Sequence, residues 1–282
     1  MPEGDTIHKL ARALAPVLSG RLESVWLRDL PHAARLQGGT VFGLRAIGKH
    51  LLIGVSAPGE PDRILRTHLG LHGSWRRYPA SDPRGRPGER ARVILRTADT
   101  KLVCLQAPQV EVFRAADLGR HRALSALGPD LIDPPVCMHR VLAQARAAAS
   151  AVTIGELLLD QRVAAGIGNV FKCELLFLAG IHPWRAAARV PPGILRALYG
   201  EAQRLLIANV APGPRTTTRD PVSGRPRSDR ELLWVYGRHG RPCLRCGVTI
   251  RTRRQGEQAR PTWWCPGCQP QAGHRTVQGA TR

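Results

Sequence analysis

Two Cys-x-x-Cys pairs, Cys243 with Cys246 and Cys265 with Cys268, stand eighteen residues apart toward the end of the chain. Each pair can present two thiolates from one tight turn, and two such turns facing each other close a tetrahedron with bonds of about 2.3 Å to zinc. A shell of four protein thiolates leaves no open position, so such an ion folds its segment and does no chemistry of its own. Two disulfides or a redox pair would use the same residues. The doubled motif, with Gly247 and Gly267 beside the turns, has the spacing of a structural zinc ribbon.

Chemistry must then be sought at the other end. The chain begins Met1-Pro2-Glu3-Gly4-Asp5-Thr6. Removal of Met1, expected before a small second residue, leaves a secondary amine at Pro2, and an α-amino group titrates at about 7.7–8.0, so a fraction is neutral and nucleophilic. An amine that attacks a sugar carbon forms an iminium, the strategy of Schiff-base enzymes. Glu3 stands one residue away as a proton donor and acceptor. The plain alternative is a frayed terminus ahead of a helix started by Asp5 and Thr6.

Three further segments carry polar or apolar groups in suggestive places. Gly166-Ile167-Gly168-Asn169 sets a tight turn before an apolar helix, and a helix N-terminus offers N–H groups and a positive dipole to an anion. Asn169 is the expected N-cap, its amide within reach of a phosphate oxygen, and with Gly168 it is a candidate DNA contact; a simple glycine-rich helix cap is the competing reading. Lys49, after Gly48, sits at the entrance of an apolar strand, where a solvated turn lysine is the default. Leu71, at the tip of Leu69-Gly70-Leu71-His72-Gly73, is either an apolar wedge for a base stack or core.

The elements that must position these groups follow from composition and periodicity. With 282 residues, 43% of them hydrophobic, the chain has room for about two domains with real cores. The 42 Lys and Arg against 21 Asp and Glu give a formal charge of +21, which favours a polyanion, nucleic acid before an anionic membrane. Lys9, Lys49, Lys101 and Lys172 are the only lysines, so the charge is carried by Arg, whose fork matches phosphate. No run of eighteen apolar residues and no secretory leader is present, so a cytoplasmic protein is expected. Cys104, Cys137 and Cys173 read as small buried thiols without a role.

Helical spacing predicts a helix over 5–19. Short Val-, Ile- and Leu-rich runs at 24–27, 41–47, 50–55, 64–67, 91–95 and 102–105 predict strands, with a mobile hairpin loop at 79–90. Residues 137–209 turn Ala- and Leu-rich at helical spacing.

In their order along the chain, Pro2-Glu3-Gly4, Gly48-Lys49, Leu159-Asp160-Gln161-Arg162 leading into Gly166-Ile167-Gly168-Asn169, and a ribbon containing Arg260 and ending Thr262-Trp263-Trp264-Cys265-Pro266-Gly267-Cys268-Gln269, the chain resembles the formamidopyrimidine-DNA glycosylase and endonuclease VIII family. Pro2-Glu3-Gly4-Asp5-Thr6 and Arg260-Pro261 are more similar to the endonuclease VIII branch, which favours oxidised pyrimidines.

The resemblance implies an α+β multidomain fold. It consists of an N-terminal β-sandwich catalytic domain with a leading helix (1–120), a helix-two-turns-helix DNA-binding domain (121–211), a flexible loop (212–231), a zinc-ribbon finger (232–270) and a disordered tail (271–282). It implies a base-excision glycosylase and AP lyase, with Pro2 as nucleophile and Glu3 as proton carrier. Lys49, Asn169 and Arg260 would hold the phosphates of damaged double-stranded DNA, whose lesion is flipped out. One structural zinc, no small-molecule cofactor, no membrane and a monomer complete the expectation. Gly70, Leu71 and His72 depart from the polar–apolar–aromatic run of some endonuclease VIII enzymes, leaving Leu71 as the void-filling side chain. Ala126 stands where relatives carry an arginine. A zinc-ribbon DNA-binding protein without catalysis, or a lyase without base release, would keep parts of the same pattern.

Overall fold

The computed structural model describes residues 1–29, 35–83, 88–218 and 231–271. Parts of the two expected loops (84–87 and 219–230) and the tail from 272 lie outside the described residues.

The chain divides into two compact units, 1–134 and 135–282. The first opens with α1 (Gly4–Leu14), which buries Ile7, Ala11 and Leu14 along one face. The helix expected to reach residue 19 stops at Leu14 and tightens into a 3₁₀ turn, Ala15–Val17. Pro16 has no N–H to continue the ladder.

Nine short strands follow: β1 (Gly20–Arg21), β2 (Ser24–Leu27), β3 (Thr40–Ile47), β4 (His50–Ser56), β5 (Arg63–His68), β6 (Ser74–Pro79), β7 (Ala91–Arg96), β8 (Thr100–Leu105) and β9 (Gln109–Arg114). They form two antiparallel sheets, ordered β1-β3-β4-β5-β9 and β2-β7-β8-β6. Leu51, Ile53, Val55 and Leu65 from one sheet share a core with Val25, Leu27, Val93, Leu95 and Leu102 from the other, and α1 adds its apolar face. This is the expected sandwich with its leading helix. The run at 50–55 reads as continuously apolar because both faces of β4 are covered. Leu51, Ile53 and Val55 enter the main core, while Leu52 packs with Ile64 and Leu124 on the opposite face. Leu124 belongs to α2 (Arg122–Ser125).

In the second unit, α3 (Met138–Ala148), α4 (Ile154–Leu159), α5 (Asn169–Leu178) and α6 (Pro192–Ala208) precede a hairpin of β10 (Arg251–Gln255) and β11 (Arg260–Trp264). Every residue of α5 from Asn169 to Phe177 is buried, and the helix packs against α4, α6 and β11. One of its buried residues is a carboxylate. Glu174 accepts the backbone N–H groups of Trp234 (2.8 Å), Val235 (2.9 Å) and Tyr236 (2.8 Å) and the Thr217 hydroxyl. Burial raises its pKa against the pull of these donors. All four partners donate, which suits the ionised form, and the lead-in to the ribbon is thereby fixed to α5.

Candidate functional site

The amino-terminal residues are packed. Glu3 is fully buried and stands at the N-cap of α1 with extended backbone; its N–H donates to Thr6 Oγ1 at 3.4 Å. Gly4 and Asp5 are buried beside it, while Pro2 is half-buried and Met1 exposed. A frayed terminus is therefore not what the fold contains. Lys49 lies in the two-residue turn between β3 and β4, where Gly48 takes φ +57°, the left-handed region that glycine enters without strain. The Gly48 N–H donates to Asp130 Oδ2 at 2.6 Å, and the same oxygen meets His8 Nε2 at 2.9 Å. Asp130 Oδ1 accepts from the Ile132 N–H at 2.9 Å. One buried carboxylate thus joins the helix that follows Pro2 and Glu3 to the turn that carries Lys49.

Two histidines flank Lys49. Arg66 Nη1 donates to His50 Nδ1 at 2.6 Å, and the Gly70 N–H donates to His68 Nδ1 at 3.3 Å; the rings lie 4.9 Å apart. Both Nδ1 atoms accept, so each ring carries its hydrogen on Nε2. Burial, then the His68 and Arg66 charges, lowers the His50 pKa to about 3. Burial, then Lys49, lowers that of His68 to about 4. Both are neutral donors at neutral pH. Beyond His68 the loop buries Leu69 but leaves Leu71 47% exposed, so Leu71 is not core. Gly70, at φ +58°, closes the loop against Pro108.

The second unit holds the other residues singled out by the sequence. Gln161 fastens the glycine turn: its Nε2 donates to the carbonyls of Leu159 and Ile167, both at 2.9 Å, and its Oε1 accepts the Gly166 N–H at 3.2 Å. The N-cap of α5 is Gly168, with extended backbone, and not Asn169, which is the first helical residue. The side chain of Asn169 is used differently from a cap. Its Nδ2 donates to the Pro261 carbonyl at 2.7 Å, tying the turn to β11, while its buried Oδ1 has no hydrogen-bond partner among the described residues. Next to Pro261, Arg260 directs Nε and Nη2 to Gln258 Oε1 at 3.0 and 2.9 Å, which orients the guanidinium.

Cys243, Cys246, Cys265 and Cys268 bring their sulfurs within 4.8 Å of one another. Contacts of 3.8 Å (Cys243–Cys268) and 3.4 Å (Cys246–Cys265 and Cys246–Cys268) are too long for disulfides. A tetrahedral ion with bonds of about 2.3 Å requires sulfur edges of about 3.8 Å, so the cluster fits one. The Arg245 and Cys268 N–H groups point at Cys243 and Cys265 Sγ, each at 3.4 Å, as donors do toward thiolates. Of the other cysteines, Cys104 and Cys173 are buried as expected, but Cys137 is exposed just before α3.

The structure brings Lys49 to α1 through Asp130, and Asn169 to the ribbon through Pro261. The sequence reading assigned no role to Asp130 or to His68, which follows the run at 64–67. The models of the formamidopyrimidine-DNA glycosylase N-terminal and H2TH domains match residues 1–110 and 127–220. The chain belongs to this family. A probable endonuclease 8 2 of Streptomyces coelicolor is 41% identical, with 98% of each chain covered. A DNA-(apurinic or apyrimidinic site) lyase Nei2 of Mycolicibacterium smegmatis is 38% identical over 95% of this chain and 99% of its own. A formamidopyrimidine-DNA glycosylase of Alkalilimnicola ehrlichii is 34% identical over 95% and 100%. The fold is that of the Lactococcus lactis Fpg solved with DNA containing an abasic site, at TM-score 0.76, 22% identity, and 95% and 100% coverage. No helix among the described residues is long and apolar enough to cross a membrane.

Proposed function

We infer that this chain is a bifunctional DNA glycosylase and AP lyase of base-excision repair, acting through the Pro2 amine on oxidised bases in duplex DNA, pyrimidines preferred. The observation that carries the reading is the buried Glu3 at the N-cap of α1, which sets a carboxyl group beside the residue that becomes the amino terminus once Met1 is removed. Pro2 nitrogen attacks C1′ of the flipped nucleotide, the glycosidic bond breaks, and the base leaves with a proton relayed from Glu3. Opening of the sugar at O4′ gives a cationic iminium. That charge acidifies the C2′ hydrogen, whose removal expels the 3′ phosphate and nicks the strand.

Lys49, with the Nε2–H of neutral His68 near it, supplies cation and donor to a phosphate beside the lesion, and Asn169 and Arg260 serve phosphates from the second unit. Gly168 keeps the start of α5 free of a side chain for close backbone approach. Leu71, exposed at its loop tip, fills the space the base vacates. Zinc is the ion that the four thiolates hold; bound there, it closes the two turns into the base of the hairpin that carries Arg260. Work on chromosomal DNA implies a cytoplasmic site of action.

The test is borohydride trapping on duplexes carrying an oxidised pyrimidine. The native chain should form a covalent adduct whose peptide map ends on Pro2, while Pro2→Leu, which retains Met1, should form none. Glu3→Gln should lower base release by about a hundredfold or more, the usual worth of a positioned acid. An adduct on a lysine, or full activity in Glu3→Gln, would overturn the reading.

A further inference from the structure

Gln255 ends β10 and stands directly across the hairpin from Arg260. Residues opposite each other in an antiparallel pair share a face, with Cβ atoms about 4.5–5.5 Å apart. Gln255 is 6% exposed, and both ends of its amide are engaged. Its Nε2 donates to Thr153 Oγ1 at 2.8 Å and to the Pro183 carbonyl at 2.9 Å, and its Oε1 accepts from the Thr262 hydroxyl at 3.0 Å. Thr262 in turn accepts from the Lys172 ammonium of α5 at 2.5 Å.

The receiving surface is shaped for this amide. Thr153 is the N-cap of α4, held by Glu156, whose N–H donates to Thr153 Oγ1 at 3.4 Å. Two residues on, Gly155 leaves the space the amide enters: a Cβ there would lie 2.5 Å from Gln255 Oε1 and 2.7 Å from Nε2. Glycine is a poor helix former, and alanine would serve α4 better on propensity alone. The missing methyl is explained by what occupies its place. Immediately after Gln255, Gly256 turns the chain at φ +69°, and the four-residue turn leads back to Arg260.

We propose that Gln255, seated against Gly155 in the first turn of α4, is a positioning residue that fixes the ribbon hairpin so that Arg260 meets a DNA phosphate. This rests on the phosphate role inferred for Arg260. Glutamine suits the task because it donates and accepts at once: a carboxylate could not donate to Thr153 Oγ1 or the Pro183 carbonyl, and an apolar side chain could make none of the three bonds that hold the hairpin to α4 and to Thr262.

Binding to a duplex containing a tetrahydrofuran abasic analogue, followed by fluorescence anisotropy across a salt series, tests it. Gln255→Ala should weaken binding about tenfold and reduce the slope of log K on log salt by about one, the signature of one lost phosphate contact, as Arg260→Ala does. Zinc content should not change, and Arg260→Ala/Gln255→Ala should be no weaker than Arg260→Ala. Gly155→Ala should give the same loss by expelling the amide. In the Gln255→Ala background that methyl meets no amide, so Gly155→Ala should cost nothing further. A full slope in Gln255→Ala, or additive losses in either double variant, overturns the proposal. Should Gln255→Ala fail to fold, Gly155→Ala carries the test. If Arg260→Ala itself keeps the full slope, the phosphate role of Arg260 fails on its own. Amide hydrogen exchange at 255–260 then decides the anchoring: faster exchange in both single variants supports it, and unchanged exchange overturns it.

Discussion

At the scale of single residues, the environment of Lys49 depends on two histidines remaining uncharged. Their Nδ1 atoms accept from Arg66 and from the Gly70 N–H, and protonation would set donor against donor beside a lysine. The folded values near 3 for His50 and 4 for His68 lie below the 6.5 of a free histidine, so below pH 6.5 the unfolded chain takes up protons that the folded chain refuses. Stability is therefore intact above pH 6.5 and falls as acid is added, each histidine contributing up to about 1.4 kcal/mol per pH unit until its folded value is reached. Urea midpoints measured from pH 7.5 to 4.5 should drop steeply for the native chain and less steeply for His50→Asn and His68→Asn, whose amides can still accept those bonds. Equal slopes would mean that the histidines are not buried neutral. The sequence exposed residues whose partners are close by, such as the cysteine pairs and Glu3 ahead of α1. It hid Asp130 and Gln255, because Asp130 meets Gly48 across 82 positions and Gln255 meets Thr153 across 102, and no local pattern reports such a pair.

Elements were legible where one face is apolar and the run is uninterrupted. β4 stands out as an apolar string because both its faces are covered. β6 and β9 were not anticipated: Ser74–Pro79 carries two exposed arginines, and Gln109–Arg114 offers only two valines and a phenylalanine among polar residues. Their place comes from pairing, β6 on β8 and β9 on β5, which completes one edge of each sheet. In the second unit, the buried Glu174 gives the joint between α5 and the ribbon a property that can be measured. Glu174→Gln keeps the shape but turns an amide N–H₂ toward backbone N–H groups, which can only donate. A buried N–H left without an acceptor costs about 1–3 kcal/mol. Chemical denaturation should show that loss, and because no thiolate is touched, zinc should remain bound yet be stripped faster by EDTA. Unchanged EDTA kinetics would show that the ribbon is stable without its tie to α5.

For the whole molecule, the formal charge of +21 sets a first scale for electrostatic binding that the structure lowers. Twenty-one phosphate contacts would give a slope of log K on log salt of about −19. Many arginines are occupied within the fold. Arg63 and Arg66 are buried against Glu60 and Glu111, Arg162 and Arg204 are held by Asp160 and Glu201, Arg245 lies over Phe177, and Arg253 lies over Trp184. Those side chains support strands, loops and the ribbon, and they reach a phosphate only by giving up a contact already made. An interface of about 6–10 phosphates, with a slope of about −5 to −9, is what remains for a DNA-binding surface of ordinary size. Affinity for undamaged duplex measured from 50 to 200 mM salt should then fall by about a thousandfold or more. Because the contacts are to backbone, duplexes of different sequence should give the same slope. A slope shallower than about −2 would place the charge away from DNA altogether and would count against the nucleic-acid reading of the basic composition.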